Sequence, residues 1–166
     1  MIIGSGVSRV MPDDYGDPAL RGSSPPGLTL PVYDLPKEVI TCEQAAAAKG
    51  IPLANELKTI ILTTTSGLCA VNIPGDRKVS LRKVKRFLKA REAFVAPREY
   101  LREMGLSPGT VCAVLEPVWS LHQLVSSAVL ALEFVSTNNK SSSHFFRFAP
   151  ELLLRARAVQ VGDFEQ

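Results

Sequence analysis

Glu56-Leu57-Lys58-Thr59-Ile60-Ile61-Leu62 and Leu68-Cys69-Ala70-Val71-Asn72-Ile73 are two β-rich runs separated by Thr63-Thr64-Thr65-Ser66-Gly67. The spacer carries a Ser-Gly turn signal, so the pair reads as a hairpin. Strand side chains alternate between faces. Lys58 therefore shares a face with Ile60 and Leu62, while Leu57, Thr59 and Ile61 point the other way. A lysine leading an apolar strand face has two uses. It snorkels its ammonium to water and protects an edge, or it stands at the rim of a pocket.

Upstream of this hairpin, Thr41-Cys42-Glu43-Gln44 has the capping-box form, with a threonine hydroxyl for a free amide and a glutamine three residues on. The alanines at 45–48 continue a helix, Gly50 ends it as a C′ residue, and Pro52 bars extension. Residues 28–33 read as a short strand closed by Asp34-Leu35-Pro36. Residues 1–27 are rich in Gly, Pro, Ser and Asp, which is linker chemistry with little to bury. They are expected to form an irregular arm, with the folded domain over 28–166.

Downstream, Pro74-Gly75-Asp76 turns the chain and Ser80 caps a second helix with Leu81, Val84 and Leu88 on one side and Phe87 beside them. Eight basic residues fall between positions 77 and 91, with no acid among them and Asp76 just ahead. Of the 19 lysines and arginines this leaves 11 elsewhere, against 15 of the 16 acids. The net charge of +3 is thus concentrated on one stretch, either a solvated helix face or a seat for a polyphosphate.

Beyond it, residues 93–95 read as a brief strand, and Pro97 is expected to open a helix through Met104. Gly105-Leu106-Ser107-Pro108-Gly109-Thr110-Val111 places two glycines around a proline, a loop whose backbone can approach a ligand or offer it amides. Strands are expected at 111–115, 124–129 and 132–135, then a polar turn over 136–143. A strand at 145–148, a helix from Pro150 through Arg157 and an extended end at Val159 and Val161 complete the chain. Helices and strands mix without steady alternation, which predicts an α+β class with a mixed sheet in one compact domain.

Several chemistries find no footing. No G-x-S-x-G elbow occurs, and His122 and His144 lie in unremarkable contexts and read as surface or packing residues. Cys42, Cys69 and Cys112 are widely spaced with no C-x-x-C, so neither a metal site nor a disulfide framework is expected. No cofactor motif is present. The first residues lack a basic segment ahead of an apolar core, and no apolar run reaches the roughly 18 residues of a membrane span. A soluble, cytoplasmic protein with reduced thiols is expected.

The succession of capped helix, Gly50-Ile51-Pro52, the Lys58-Thr59 strand, Pro74-Gly75-Asp76-Arg77-Lys78 and Gly105-x-x-Pro108-Gly109-x-Val111 resembles the YbaK/ProX family. These are freestanding aminoacyl-tRNA deacylases related to the editing insertion of bacterial prolyl-tRNA synthetases. The resemblance runs in order over roughly residues 30–160. It implies a compact fold with a mixed, barrel-like sheet flanked by helices, and hydrolysis of the ester joining a wrong amino acid to tRNA. Lys58 matches the family's functional lysine. Gly105 and Gly109 match the loop lining the aminoacyl pocket, to which Pro108 and Thr110 would also contribute, and Asn138 belongs to a Thr-Asn that some branches carry and would line the same pocket. With that reading, Arg77, Lys78, Arg82, Lys85 and Arg86 would dock phosphates at the acceptor end of the tRNA, and a synthetase is a further partner. The alternative is a noncatalytic module on the same fold that grips tRNA or a synthetase. Two stretches depart from the family pattern. Residues 112–115 are Cys-Ala-Val-Leu where Ser-Pro-x-Gly is usual, and Ser126 stands where Asp is frequent.

Overall fold

The structure is a computed structural model that describes residues 30, 32–35, 38–107, 111–138 and 143–166. The expected arm over 1–27 lies outside these residues. Among the described residues the strands form two sheets, one of five strands and one of three.

The hairpin is the spine. Strands β2 (Leu57–Thr64) and β3 (Gly67–Pro74) pair antiparallel along their full length, from Leu57 opposite Pro74 to Thr64 opposite Gly67. The turn is tighter than the sequence suggests, since only Thr65 and Ser66 lie between the strands. Thr64 explains the shortening, because its hydroxyl donates to the Gly67 carbonyl at 2.8 Å and accepts from the Ser66 N–H at 3.0 Å. β5 (His122–Ser126) adds parallel to β3, and β8 (Val159–Gly162) adds parallel to β5. On the other side, β4 (Ala93–Val95) covers β2 only at Leu62, Thr63 and Thr64.

The smaller sheet is antiparallel, with β7 (His144–Phe148) between β1 (Val32–Asp34) and β6 (Val135–Asn138). It meets β2 through a bridge from Glu56 to Ser136. Consequently β2 has β6 against one end of its outer edge and β4 against the other, with a gap between them.

Helix α1 (Cys42–Lys49) is built as its signals ask. Thr41 Oγ1 accepts from the Gln44 N–H at 3.1 Å, the Gln44 side chain accepts in return from the Thr41 N–H, and Gly50 closes the helix at φ 67°. Helix α2 (Leu81–Leu88) starts at Ser80, whose Oγ accepts from the Lys83 N–H. Val84 is fully buried against Leu62, Val71, Ile73, Leu124 and Phe164, and this apolar seam fixes which face the basic residues must present outward. The last residues hold the start of that helix, with Lys83 Nζ donating to Asp163 and to the Glu165 carbonyl, both at 2.7 Å. Gly75 is needed at its turn, since a Cβ there would sit 2.6 Å from the carbonyl oxygens of Leu53 and Glu56.

Several expected elements change. Residues 111–115 form no strand; Cys112, Ala113, Val114 and Leu115 are irregular backbone around a turn at 113–114, with no exposed surface, packed into the main core. Burial on all sides removes the alternation that a strand would show, so an apolar run alone misreads as one. The strand expected over 124–129 stops at Ser126, because Ser126 Oγ accepts from the Ala128 N–H at 3.1 Å and caps the short helix α4 (Ser127–Leu130). Helix α3 occupies Arg98–Glu103 between β4 and that turn, with Pro97 as its cap rather than its first residue. β6 begins at Val135 and continues through Ser136, Thr137 and Asn138, a stretch that reads as polar turn. Pairing with Arg147, Phe146 and Phe145 overrides that polarity. The helix from Pro150 is a 3₁₀ segment and ends at Arg155. Ser126 and residues 112–115, which depart from the family pattern, therefore do structural work here: one caps a helix as an aspartate would, and the others fill core.

Candidate active site

A cleft of about 400 Å³ opens along the outer edge of β2, in the gap between β4 and β6. Its floor is residues 56–61. Thr41, Cys42 and Ala45 come from the start of α1, Ala96, Arg98 and Leu101 from the β4–α3 side, and Thr137 and Asn138 from β6. Three separately folded pieces thus converge on one strand edge. The Ala96 N–H donates to the Ile61 carbonyl at 2.9 Å and closes the β4 end of the gap.

Lys58 lines this cleft, half-buried, and its Nζ donates to the Arg77 carbonyl at 2.8 Å. A backbone carbonyl neutralises only part of an ammonium's charge, so the cation remains available to an anionic or carbonyl-bearing ligand. The same contact ties Lys58 to the turn that opens the basic stretch. Of the residues expected to form the pocket, Asn138 lines the cleft, brought there from 80 positions away along the chain. Its Oδ1 is buried without a hydrogen-bond partner among the described residues.

Gly105 is not in the cleft wall. It caps α3 in the left-handed region at φ 76°, with its N–H on the Arg102 carbonyl at 2.9 Å. Pro108, Gly109 and Thr110 lie outside the described residues; of the described residues of that loop, Val111 lines the cleft. Arg77, Lys78, Arg82, Lys85 and Arg86 are all exposed and do not line it; they form a basic surface on α2 and the turn before it.

Sequence reasoning missed three features. Glu56 supplies the only carboxylate among the described lining residues, and both its oxygens accept from Lys49 Nζ at 2.8 Å. Lys49 is 1% exposed, and its ammonium lies 4.5 Å from the centre of the Phe145 ring. Burial pushes the Glu56 carboxyl up to about 7 against the pull of Lys49, and burial likewise lowers Lys49. A lysine ending a helix and a glutamate opening a strand are ordinary surface residues by pattern, so nothing local signals the pair. Arg98 brings a second cation to the cleft from an exposed position on α3. Thr59, adjacent to the flagged lysine, is the third. Cys42 also lines the cleft, but burial raises its thiol above the ordinary range and leaves it a poor nucleophile.

No group of three or more His, Cys, Asp or Glu side chains suited to a metal occurs among the described residues, and no helix among them is long and apolar enough to cross a membrane. The cleft offers cations, neutral polar groups and apolar wall.

Comparison with known proteins gives this arrangement a family. The model of the aminoacyl-tRNA editing domain matches residues 36–156. The proline–tRNA ligase of Exiguobacterium sibiricum is 30% identical over 131 residues, 74% of this chain and 22% of the ligase. That of Xanthomonas campestris pv. campestris is 29% identical over 146 residues, 82% of this chain and 26% of the ligase. The chain thus spans about a quarter of these ligases. Among solved structures, a candidate trans-editing enzyme for prolyl tRNA synthetase superposes with a TM-score of 0.73 at 24% identity, covering 82% of this chain and 87% of that one. Hypothetical protein APE2540 superposes with a TM-score of 0.75 at 26% identity, covering 84% and 93%. With the editing-domain model matched over residues 36–156, more than half of the chain, and the fold shared, the chain belongs to the YbaK/ProX family of aminoacyl-tRNA editing domains.

Proposed function

We propose that this domain hydrolyses the ester of mischarged aminoacyl-tRNA in trans, with the acceptor end of the tRNA as its partner. The observation that carries this reading is the cleft itself: a small cavity with Lys58 and Asn138 in its wall, beside a basic surface tied to it through the Lys58–Arg77 contact. Its size suits an aminoacylated ribose, and a size sieve is what editing requires where one binding step cannot reject a similar side chain strongly enough.

An aminoacyl ester is already labile, so the site needs orientation and charge stabilisation rather than a covalent intermediate. Lys58 holds the phosphate of the terminal nucleotide or the carbonyl region of the amino acid. Water attacks the carbonyl carbon, with the vicinal ribose hydroxyl helping to activate it. The ester C–O bond to the ribose then breaks, the ribose oxygen takes the proton, and the amino acid leaves. Arg77, Lys78, Arg82, Lys85 and Arg86 dock tRNA phosphates, which makes affinity fall with salt. The relatives' identity as proline–tRNA ligases makes tRNA for proline the first nucleic acid to test, and a synthetase the protein partner to test with it.

The test is incubation with that tRNA charged with alanine, cysteine, serine or proline, following ester loss. Hydrolysis of one of these esters that Lys58→Ala removes supports the proposal. Tight tRNA binding with no ester loss for any of the four overturns it and leaves a noncatalytic tRNA-binding module.

A further inference from the structure

The edge of β2 that floors the cleft is open for the length of one residue. Successive residues of a strand turn their main-chain N–H and C=O to alternate edges. Two bonds fix which residues of β2 face outward. The Thr65 N–H donates to the Glu92 carbonyl at 3.3 Å, and the Ala96 N–H donates to the Ile61 carbonyl at 2.9 Å. Both lie on the β4 side, so residues 57, 59, 61, 63 and 65 present their main chain to the outer edge, and 58, 60, 62 and 64 to β3. The unbroken register with β3, from Leu57 opposite Pro74 to Thr64 opposite Gly67, keeps that phase along the whole strand.

The β4 segment covers this edge from Thr65 down to Ile61, and the pairing with β6 is the single bridge at Glu56. Thr59 is the outward residue left between them. It lines the cleft, and its N–H and C=O meet no main-chain partner among the described residues. Its side chain anchors the peptide from the other direction. Thr59 Oγ1 donates to Asn72 Oδ1 at 2.8 Å, and Asn72, fully buried, donates through Nδ2 to Gln123 Oε1 at 2.9 Å. Main-chain groups left unpaired beside a cavity are where water sits or a ligand bonds.

A longer free edge would suit a peptide strand. Outward groups recur about every 7 Å along a strand, and the next ones, at Leu57 and Ile61, stand beside the bridge to β6 and under Ala96. The opening therefore takes one donor and one acceptor, the complement of a single amino-acid unit in extended form. An aminoacyl ester is that unit: its α-amino group donates, charged or neutral, and its carbonyl accepts.

We propose that the aminoacyl group docks on Thr59 as a one-residue antiparallel strand, with its α-amino N–H on the Thr59 carbonyl and its ester carbonyl on the Thr59 N–H. This rests on the proposed editing function and names how the substrate is held. Residues that face each other in this way exchange both bonds and carry their side chains on one face of the sheet. The side chain of an L-amino acid thus falls on the face of Leu57, Thr59 and Ile61, where the cleft-lining Ala96, Leu101 and Val111 pack around Ile61. That of a D-amino acid falls on the opposite face, with Lys58. The antiparallel sense sends the ester oxygen and the ribose toward Leu57 and Lys58. As water adds to the carbonyl carbon, the Thr59 N–H stays on the oxygen that takes the negative charge.

The experiment follows amide hydrogen exchange of the wild-type protein by NMR, with and without 3′-L-alanylamino-3′-deoxyadenosine, which is not hydrolysed. In the free protein the Thr59 amide should exchange about tenfold or more faster than those of Lys58 and Ile60, which face β3, and the analogue should slow it by a similar factor. In parallel, L-alanyl-RNA should be hydrolysed about tenfold or more faster than D-alanyl-RNA, each rate divided by the uncatalysed hydrolysis of the same ester. Thr59→Pro, tolerated where an N–H points off the ladder, removes the donor and should slow the L ester about 10²-fold. Thr59→Val loses the same side-chain bond to Asn72 but keeps the N–H, and should retain about ten times the rate of the proline variant or more. A Thr59 amide already protected in the free protein, or unchanged by an analogue that binds, overturns the subsite whatever the rate of ester loss, and this arm needs no variant to fold. Equal normalised rates for the L and D esters overturn it as well. Protection of Thr59 by the analogue with no ester loss retains the subsite and removes the editing proposal. Absence of both binding and hydrolysis removes both.

Discussion

Lys49 and Lys58 are nine residues apart and both are tied to the 56–61 run that floors the cleft, the first through Glu56 and the second as a member, yet their surroundings differ completely. Lys49 ends α1 and is sealed in the core, with both oxygens of Glu56 and the Phe145 ring around its ammonium. Lys58 stands half-exposed in the cleft wall on a single carbonyl. A cation enclosed with a matched anion has no capacity left for a ligand, and its removal strands the partner charge. A cation resting on a neutral oxygen keeps most of its field for whatever enters. One lysine is thus closed off in a buried pair and the other left open to the cleft, although the sequence flags only the second.

The comparison breaks most readily at Lys49. Lys49→Met leaves Glu56 buried without its partner and should cost about 3–5 kcal/mol in urea unfolding, while the double variant with Glu56→Leu should recover much of it. A loss below about 1 kcal/mol in the single variant would mean that the pair is not what holds α1 to β2. Lys58→Ala inverts the pattern. Unfolding free energy should change by about 1 kcal/mol or less, whereas deacylation should fall roughly 10²-fold, read from initial rates of ester loss.

Smaller in effect, pH sharpens the contrast through Glu56. Its carboxyl titrates at about 7 in the folded protein against 4.5 when unfolded, with burial as the leading cause. Between those values the folded state holds a proton that the unfolded chain has released. The resulting stabilisation is complete below pH 4.5 and lost as pH rises through 7. Unfolding series from pH 4.5 to 8 on wild type and Glu56→Gln should show this slope in their difference; parallel curves would contradict it. Smallest is the cap that sets α1 beside the cleft. Thr41→Ala removes the acceptor for the Gln44 N–H and should lower stability by about 1 kcal/mol by thermal or urea melting.

Much of the frame was legible in order of residues. The hairpin, the capping box at Thr41, the Gly50 stop and the Ser80 cap are local devices, and each works through neighbours no more than a few positions away. Residues 111–115 and 135–138 were not legible, because their states depend on what surrounds them. The first is enclosed on all sides and loses its periodicity, and the second is drawn into β6 by pairing with β7.

By itself the sequence determined the β2–β3 spine, the capped helices, the exposed basic face of α2 and Lys58 as a cation on an apolar strand. Each follows from alternation, periodicity or a cap, which are short-range properties of a chain. Tertiary structure alone decided that β4 and β6 stop short of one another, which leaves the edge of β2 open as a cleft. It also decided that Asn138 reaches that edge, that Lys49 disappears beneath it onto Glu56, and that Gln123, two strands away, holds the Asn72 amide against Thr59. Those facts arise between residues tens of positions apart, where only packing and the satisfaction of buried polar groups select a partner.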